Sequence, residues 1–319
     1  MTTFACVFPG QGSQSVGMLD AWNDHPVVQA TLEEASEALG QDLGKLIHEG
    51  PKEALALTTN TQPVMLVAAI AAYRVWQAEG GAVPAFLAGH SLGEYSALVA
   101  SGALGLSDAV PLVRLRAQAM QDAVAVGAGA MAAVLGLDAA KVIEVCQQVQ
   151  SSYPAGSHEV VQAANFNDPG QTVISGSQAA VAAASEALKA AGAKRCLPLP
   201  VSAPFHCALM KPAAEHLREA LAHVELQTPA IAVINNIDVT TETDANRIRD
   251  ALYRQAFGPV RWVETMLHLQ QQGVTHVVEC GPGKVLTGMV KRIAPDLNAN
   301  AVYDPATLAE ALALFPASR

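Results

Sequence analysis

A serine stands between two glycines in Gly89-His90-Ser91-Leu92-Gly93. The apolar run Ala85 to Ala88 before it predicts a buried strand that breaks at Gly89, and a helix is expected from about Gly93 to Val99. This is the G-x-S-x-G arrangement of a nucleophile on a sharp strand-to-helix turn, where glycines remove side chains that would collide with each other and with substrate. The helix start turns free N–H groups and its positive dipole end toward the serine oxygen, so the Leu92 N–H is placed to donate to an oxyanion. An ordinary glycine-rich loop is the competing reading of so short a pattern. A serine nucleophile also needs a base, and nine histidines compete for that part. His25, His158 and His223 lie among polar or helical surface residues. His206 lies in the proline-constrained Ser202-Ala203-Pro204-Phe205-His206-Cys207. A fixed, half-buried loop histidine there could act as base, although a hydrogen-bonded core histidine leaves the same sequence. Two other glycine motifs do not develop. Gly10-Gln11-Gly12 lacks the spacing of a dinucleotide fingerprint, and Gly281-Pro282-Gly283-Lys284 lacks the Walker spacing and reads as a tight turn.

The elements that must position these residues follow from periodicity and punctuation. Thr3 to Phe8 predicts a buried strand ending in a Pro9-Gly10 loop, and Thr61 with Pro63 in its first turn predicts a helix through Gln77. Ser107 is expected to cap a helix over Asp108–Val124 that carries Arg114, Arg116 and Met120. Gly127 and Gly129 then mark a hinge. Beyond it the order is strand (Ala130–Leu137), helix (Ala139–Val149), strand (Val160–Asn165), strand (Thr172–Ser175), helix (Ala179–Ala191) and strand (Lys194–Pro198), the ferredoxin-like split pattern. A helix (Pro212–His223), a strand (Ala230–Ile237), helices near Asp244–Phe257 and Val263–Gln272, a strand (Thr275–Cys280) and a last helix (Lys284–Ile293) complete the reading. The expected fold class is α/β: an α/β-hydrolase-like parallel-sheet core, residues 1–126 and 201–319, with an inserted ferredoxin-like small subdomain, residues 127–200.

The bulk numbers agree with that plan. In 319 residues, 51% hydrophobic against 15% charged supplies a sizeable core, and only 5% aromatic leaves Ala, Val and Leu to fill it. A net charge of −10 argues against nucleic acid or an anionic membrane as partner. Five scattered cysteines without a C-x-x-C pair predict no metal site, no disulfide framework and a reducing cytoplasm. The N-terminus lacks the basic region of a signal peptide, and the longest apolar run, Val64 to Tyr73, is too short to cross a bilayer. A soluble monomer is expected.

Several separate blocks resemble one family. Phe8-Pro9-Gly10-Gln11-Gly12-Ser13-Gln14, Gly89-His90-Ser91-Leu92-Gly93-Glu94, Arg116 with Met120, Asn167-Asp168-Pro169-Gly170-Gln171, Pro204-Phe205-His206, Arg254-Gln255 ahead of Pro259-Val260-Arg261-Trp262, and Gly281-Pro282-Gly283-Lys284-Val285-Leu286 look like the malonyl-CoA:acyl carrier protein transacylases, in the family's order from first strand to last helix. The resemblance implies a Ser–His dyad of Ser91 and His206, with the main-chain carbonyl of Gln255 orienting the imidazole. It implies oxyanion N–H groups from Gln11 and Leu92. Arg116 would hold the free malonyl carboxylate, and Met120, Phe205 and His90 would shape the acyl pocket. Phe205 and Leu92 resemble the malonyl-selecting rather than the methylmalonyl-selecting pattern. No bound cofactor is implied. Malonyl-CoA, a coenzyme A thioester, would be the substrate, an acyl carrier protein the partner and fatty acid biosynthesis the setting.

Three other readings compete. An esterase would use Ser91 with Asp238 and His268 or His276. A free-standing transferase could instead serve a polyketide pathway, with no synthase modules attached. A non-catalytic carrier-protein-binding module would leave Ser91 and His206 unused. For carrier-protein docking two basic clusters stand out, Lys189 with Lys194 and Arg195, and Lys284 with Lys291 and Arg292. The first is favoured because it leads along the chain to His206.

Overall fold

The run Phe4–Phe8 forms a strand with every side chain buried in the computed structural model, which describes residues 3–22, 24–154 and 156–317. A strand apolar on both faces belongs inside a sheet covered on both sides, and this one is central. Among the described residues the strands are β1 (Phe4–Phe8), β2 (Phe86–Gly89), β3 (Gly129–Leu135), β4 (Val161–Asp168), β5 (Gln171–Ser177), β6 (Arg195–Pro198), β7 (Ala232–Ile234), β8 (His276–Cys280) and β9 (Asn298–Val302). Five of them make a wholly parallel sheet in the order β7-β2-β1-β8-β9. The helix Thr58–Ala78 is buried nearly all round, as a helix through a core must be when no polar face is available to solvent. It packs between the helices Pro26–Leu39 and Leu106–Asp122.

The other four strands form an antiparallel sheet in the order β4-β5-β3-β6. Alternation along these strands separates two faces. Ala132, Val134 and Ile174 pack with Val142, Val145 and Leu188 from the helices Ala139–Ser152 and Gln178–Ala190 in a core of their own. Met131, Ala133 and Val173 face the other way, into the main core. β4 fastens the small sheet to the larger unit. The Phe166 N–H donates to the Val260 carbonyl at 2.9 Å, and the Val260 N–H donates to the Ala164 carbonyl at 2.8 Å. Arg292 adds an ion pair to buried Asp168 at 2.7 Å.

Four expectations need correction. The core helix begins at Thr58 rather than Thr61, so Pro63 sits inside it. The helix carrying Arg116 begins at Leu106 after Gly105; Ser107 lies within it and its hydroxyl donates to Glu34 instead of capping. The run Ala230–Ile237 is strand only over Ala232–Ile234, because Asn235 and Asn236 leave the ladder to form other hydrogen bonds. The helix Val285–Ile293 is followed by β9 and by Pro305–Leu314, whose start Asp304 and Thr307 cap reciprocally. Among the described residues no helix is long and apolar enough to cross a membrane, and all five cysteines are free.

Candidate active site

The serine turn is built by close approach of backbone. A Cβ on Gly89 would lie 1.9 Å from the Gly93 carbonyl carbon, and one on Gly93 would lie 2.1 Å from the Phe8 carbonyl oxygen. No other residue type fits either position. The tightness drives Ser91 itself into a left-handed backbone at φ 53°, a conformation that non-glycine residues adopt at a cost and that clusters at functional sites. The helix Gly93–Ala100 begins immediately after, with no side chain capping it. Among the described residues neither the Leu92 N–H nor the Gln11 N–H finds an acceptor within the protein. Gln11 is anchored by its side chain, which donates to the Thr58 hydroxyl at 2.7 Å.

His206 comes from the loop after β6 and has its own left-handed backbone, at φ 60°. Its Nδ1–H donates to the Gln255 carbonyl at 2.9 Å, which fixes the tautomer and leaves Nε2 as the acceptor. The Ser91 hydroxyl donates to that Nε2 at 2.6 Å. The histidine is buried, not half-exposed, and burial together with the Arg116 charge pushes its pKa down to about 3. It is therefore neutral near pH 7, the form that can take a proton.

Arg116 is 2% exposed. It donates from Nη1 to Gln62 Oε1 at 2.7 Å, and from Nη2 to Gln255 Oε1 at 3.1 Å and to Ser91 Oγ at 3.3 Å. Its guanidinium carbon lies 5.5 Å from the centre of the Tyr95 ring. All three of its hydrogen-bond acceptors are neutral, and its Nε has no partner among the described residues. A buried guanidinium held by neutral oxygens keeps an unspent preference for a carboxylate. These groups line a cavity of about 200 Å³ whose walls include His90, Phe205, Val201 and Met289. It brings together a serine, a neutral imidazole, a free backbone donor on either side and a buried cation, a set that can support acyl transfer.

Comparison with known proteins decides the family. An acyl transferase domain model matches residues 5–306. The malonyl CoA-acyl carrier protein transacylase of Escherichia coli strain K12 is 53% identical over 315 residues, covering 98% of this chain and 100% of the relative. This chain belongs to the malonyl-CoA:acyl carrier protein transacylase family. An acyl-carrier-protein S-malonyltransferase from Burkholderia pseudomallei 1710b superposes with a TM-score of 0.94 at 60% identity, covering 98% of this chain and 100% of that one. A malonyl-transacylase solved in complex with its type II PKS acyl-carrier protein superposes with a TM-score of 0.94 at 50% identity, covering 98% and 100%.

The other expected residues of this transacylase-family site fall as follows. His90 donates from Nε2 to Asn167 Oδ1 at 2.8 Å and stands edge-on to Trp262 at the cavity wall. Met120 is 1% exposed within the main core and does not line the cavity. Two of the esterase residues are elsewhere engaged: Arg254 grips both Asp238 oxygens at 2.8 and 2.6 Å, and His276 stands edge-on to Phe315; neither they nor His268 line the cavity. Of the basic clusters, Lys189 is paired with Glu186 at 2.8 Å, whereas Lys284 adjoins Val285, a 47%-exposed residue of the cavity wall.

Sequence reasoning missed Gln62, Asn236 and the side-chain work of Gln255 and Glu94. Gln255 Nε2 donates to the Ser91 carbonyl at 2.9 Å and to Glu94 Oε2 at 3.0 Å, so one buried glutamine touches serine, histidine, arginine and glutamate. Glu94 and Gln255 were at least inside recognisable blocks. Gln62 and Asn236 carried no local signal.

Proposed function

We propose that this chain moves a malonyl group from coenzyme A to the phosphopantetheine thiol of an acyl carrier protein through an ester on Ser91. The observation that carries the reading is one hydroxyl shared by two groups: Ser91 Oγ donates to His206 Nε2 and accepts from Arg116 Nη2. The malonyl carboxylate sits on Arg116. His206 takes the Ser91 proton as Oγ bonds to the thioester carbon, and the N–H groups of Gln11 and Leu92 receive the oxyanion, each such donor being worth about 10²–10³ in rate. The carbon–sulfur bond then breaks, and coenzyme A leaves with the proton from His206. In the second half the carrier thiol gives its proton to His206 and its sulfur attacks the ester. The Oγ–carbon bond breaks and the proton returns to Ser91. The two halves share one geometry, hence ping-pong transfer. Burial is the main cause of the low His206 pKa and the Arg116 charge adds to it; a carboxylate on Arg116 offsets that second part, making the base stronger once substrate is in place.

The fold reading that accompanies this mechanism is an α/β-hydrolase-like core, residues 1–126 and 201–319, with a ferredoxin-like subdomain over 127–200. The serine turn at the end of β2 supports the first part; the order β4-β5-β3-β6 and the subdomain's separate core support the second. We assign the chain to the cytoplasm as a monomer; exposed apolar side chains that come singly from separate elements, such as Val83, Val126, Leu197 and Leu314, support the monomer. Fatty acid biosynthesis is the setting we assign. A polyketide setting is the second reading, because the relative bound to a type II PKS carrier protein is 50% identical.

The test is direct. Incubation with malonyl-CoA leaves a malonyl adduct on the peptide containing His90-Ser91-Leu92, and Ser91→Ala abolishes it. An adduct mapped to Cys207 or Cys280 would overturn the mechanism.

A further inference from the structure

We infer that Asn236 is a positioning residue for the transfer, acting on the backbone of Ser91 and not on substrate. It follows β7, is 0% exposed and is absent from the cavity wall. Its Oδ1 accepts from the Ser91 N–H at 2.7 Å and its Nδ2 donates to the Gly89 carbonyl at 2.7 Å. The partners fix the amide's orientation, since a backbone N–H can only donate and a carbonyl can only accept. One planar amide therefore bridges both sides of the strained turn.

The bridge is itself held. The Asn236 backbone N–H donates to Glu94 Oε2 at 2.9 Å, and that same oxygen receives Gln255 Nε2, which also grips the Ser91 carbonyl. Ser91 is thus fixed through its N–H by Asn236 and through its C=O by Gln255, with Glu94 tying the two together. This has two consequences. The Ser91 N–H is occupied, so the free donor at the start of the helix is the next one, Leu92. The left-handed backbone at Ser91, which brings Oγ to 2.6 Å from His206 Nε2, is also held against relaxation. Removing the amide leaves two buried polar groups unpaired and lets the turn relax, which moves the nucleophile away from its base.

The inference rests on Ser91 being the acyl-carrying nucleophile. Its test is single-turnover loading from malonyl-CoA, followed by mass spectrometry of the Ser91 peptide, with melting temperature measured alongside. Asn236→Ala is expected to slow acylation about a hundredfold, the scale of loss that misplacing a reacting group by an ångström brings. KM for malonyl-CoA should stay within about twofold, because Arg116 and its contacts with Gln62 and Gln255 remain in place. Asn236→Asp supplies a readout that a merely structural role would not move. Its neutral carboxyl can accept from the Ser91 N–H and donate to the Gly89 carbonyl, whereas the ionised form cannot donate and faces an oxygen. Loading by that variant should be nearest native at low pH and fall as the carboxyl ionises. The titratable and charged groups around it are Glu94, Arg116, His206 and Asp238; the native profile is the reference for them, and Asn236→Asp combined with Glu94→Gln removes the coupling of the new carboxyl to its nearest titratable neighbour. Native acylation by Asn236→Ala, or a native pH profile in Asn236→Asp, overturns the inference; if the alanine variant does not fold, the aspartate profile decides. Absence of any Ser91 adduct in the native chain would instead defeat the proposed function.

Discussion

Arg116 donates to the hydroxyl of Ser91 at 3.3 Å, so in the proposed mechanism the cation that would take the far end of the acyl chain adjoins the atom that would attack its near end. A short diacid can satisfy both at once, because its carboxylate is only two carbons from the thioester carbon. Arg116→Ala should lower kcat/KM for malonyl transfer by about 2–5 kcal/mol, the cost of removing one partner of a buried charge pair. Relative use of acetyl-CoA should rise. Equal falls for acetyl and malonyl transfer would mean that Arg116 only supports the fold.

Burial and the Arg116 charge hold the His206 imidazole down to about 3, below its ordinary value of 6.5. A base with a depressed pKa remains neutral, and active, as pH falls through the ordinary range. The acid limb of kcat/KM for malonyl loading should therefore lie below pH 6.5. In Arg116→Ala, where one cause of the depression is gone, the limb should move upward. A native limb at or above 6.5 counts against this picture.

Glu94 shows the opposite shift. Burial raises its carboxyl to about 7 from 4.5, against the N–H groups of Asn236 and Gln255 and the Arg116 charge, which favour ionisation. The folded chain then holds this proton more tightly than the unfolded one, so the contribution to stability is full below about pH 4.5 and is lost as pH rises through about 7. Glu94→Gln keeps an acceptor for the Asn236 N–H and does not titrate. Its melting temperature should exceed the native one at pH 8, with the gap narrowing steadily toward pH 4.5. A gap independent of pH would show that Glu94 does not titrate in this range.

A carrier protein must deliver its thiol through the mouth of the cavity. The chain carries −10, so an acidic partner requires a local basic rim. Lys189 already has Glu186, and the Lys194 stem packs over Gly136. Lys284, just before the helix that lines the cavity, and Lys291 in its last turn have no carboxylate in reach among the described residues. The structure thus shifts the expectation from the subdomain cluster to this helix. Lys284→Glu with Lys291→Glu should weaken malonyl transfer to the carrier protein at low salt and leave loading from coenzyme A near native. A larger loss from Lys189→Glu with Lys194→Glu would return the docking face to the subdomain.

The serine turn was legible in the sequence because its cause is local: Gly89 and Gly93 are needed within four residues of each other, between an apolar run and a helix. The β-α-β-β-α-β order over 130–198 was legible for the same reason, since each element shows its own periodicity. Asn298–Val302 was not, because asparagines rarely read as strand; it is one only because β8 offers it a ladder. Nor could the chain order reveal that residues 115 positions apart, Ser91 and His206, share a proton, or that Gln255 and Asn236 reach the serine from 164 and 145 positions away. Those contacts depend on where the ends of β2, β7 and the loop after β6 meet. Strand pairing within the main sheet brings the ends of β2 and β7 together, and the packing of the helix Ala245–Phe257 and the loop after β6 against that sheet sets the rest. Residue type alone does not distinguish a buried amide that grips a backbone from one that merely fills a turn.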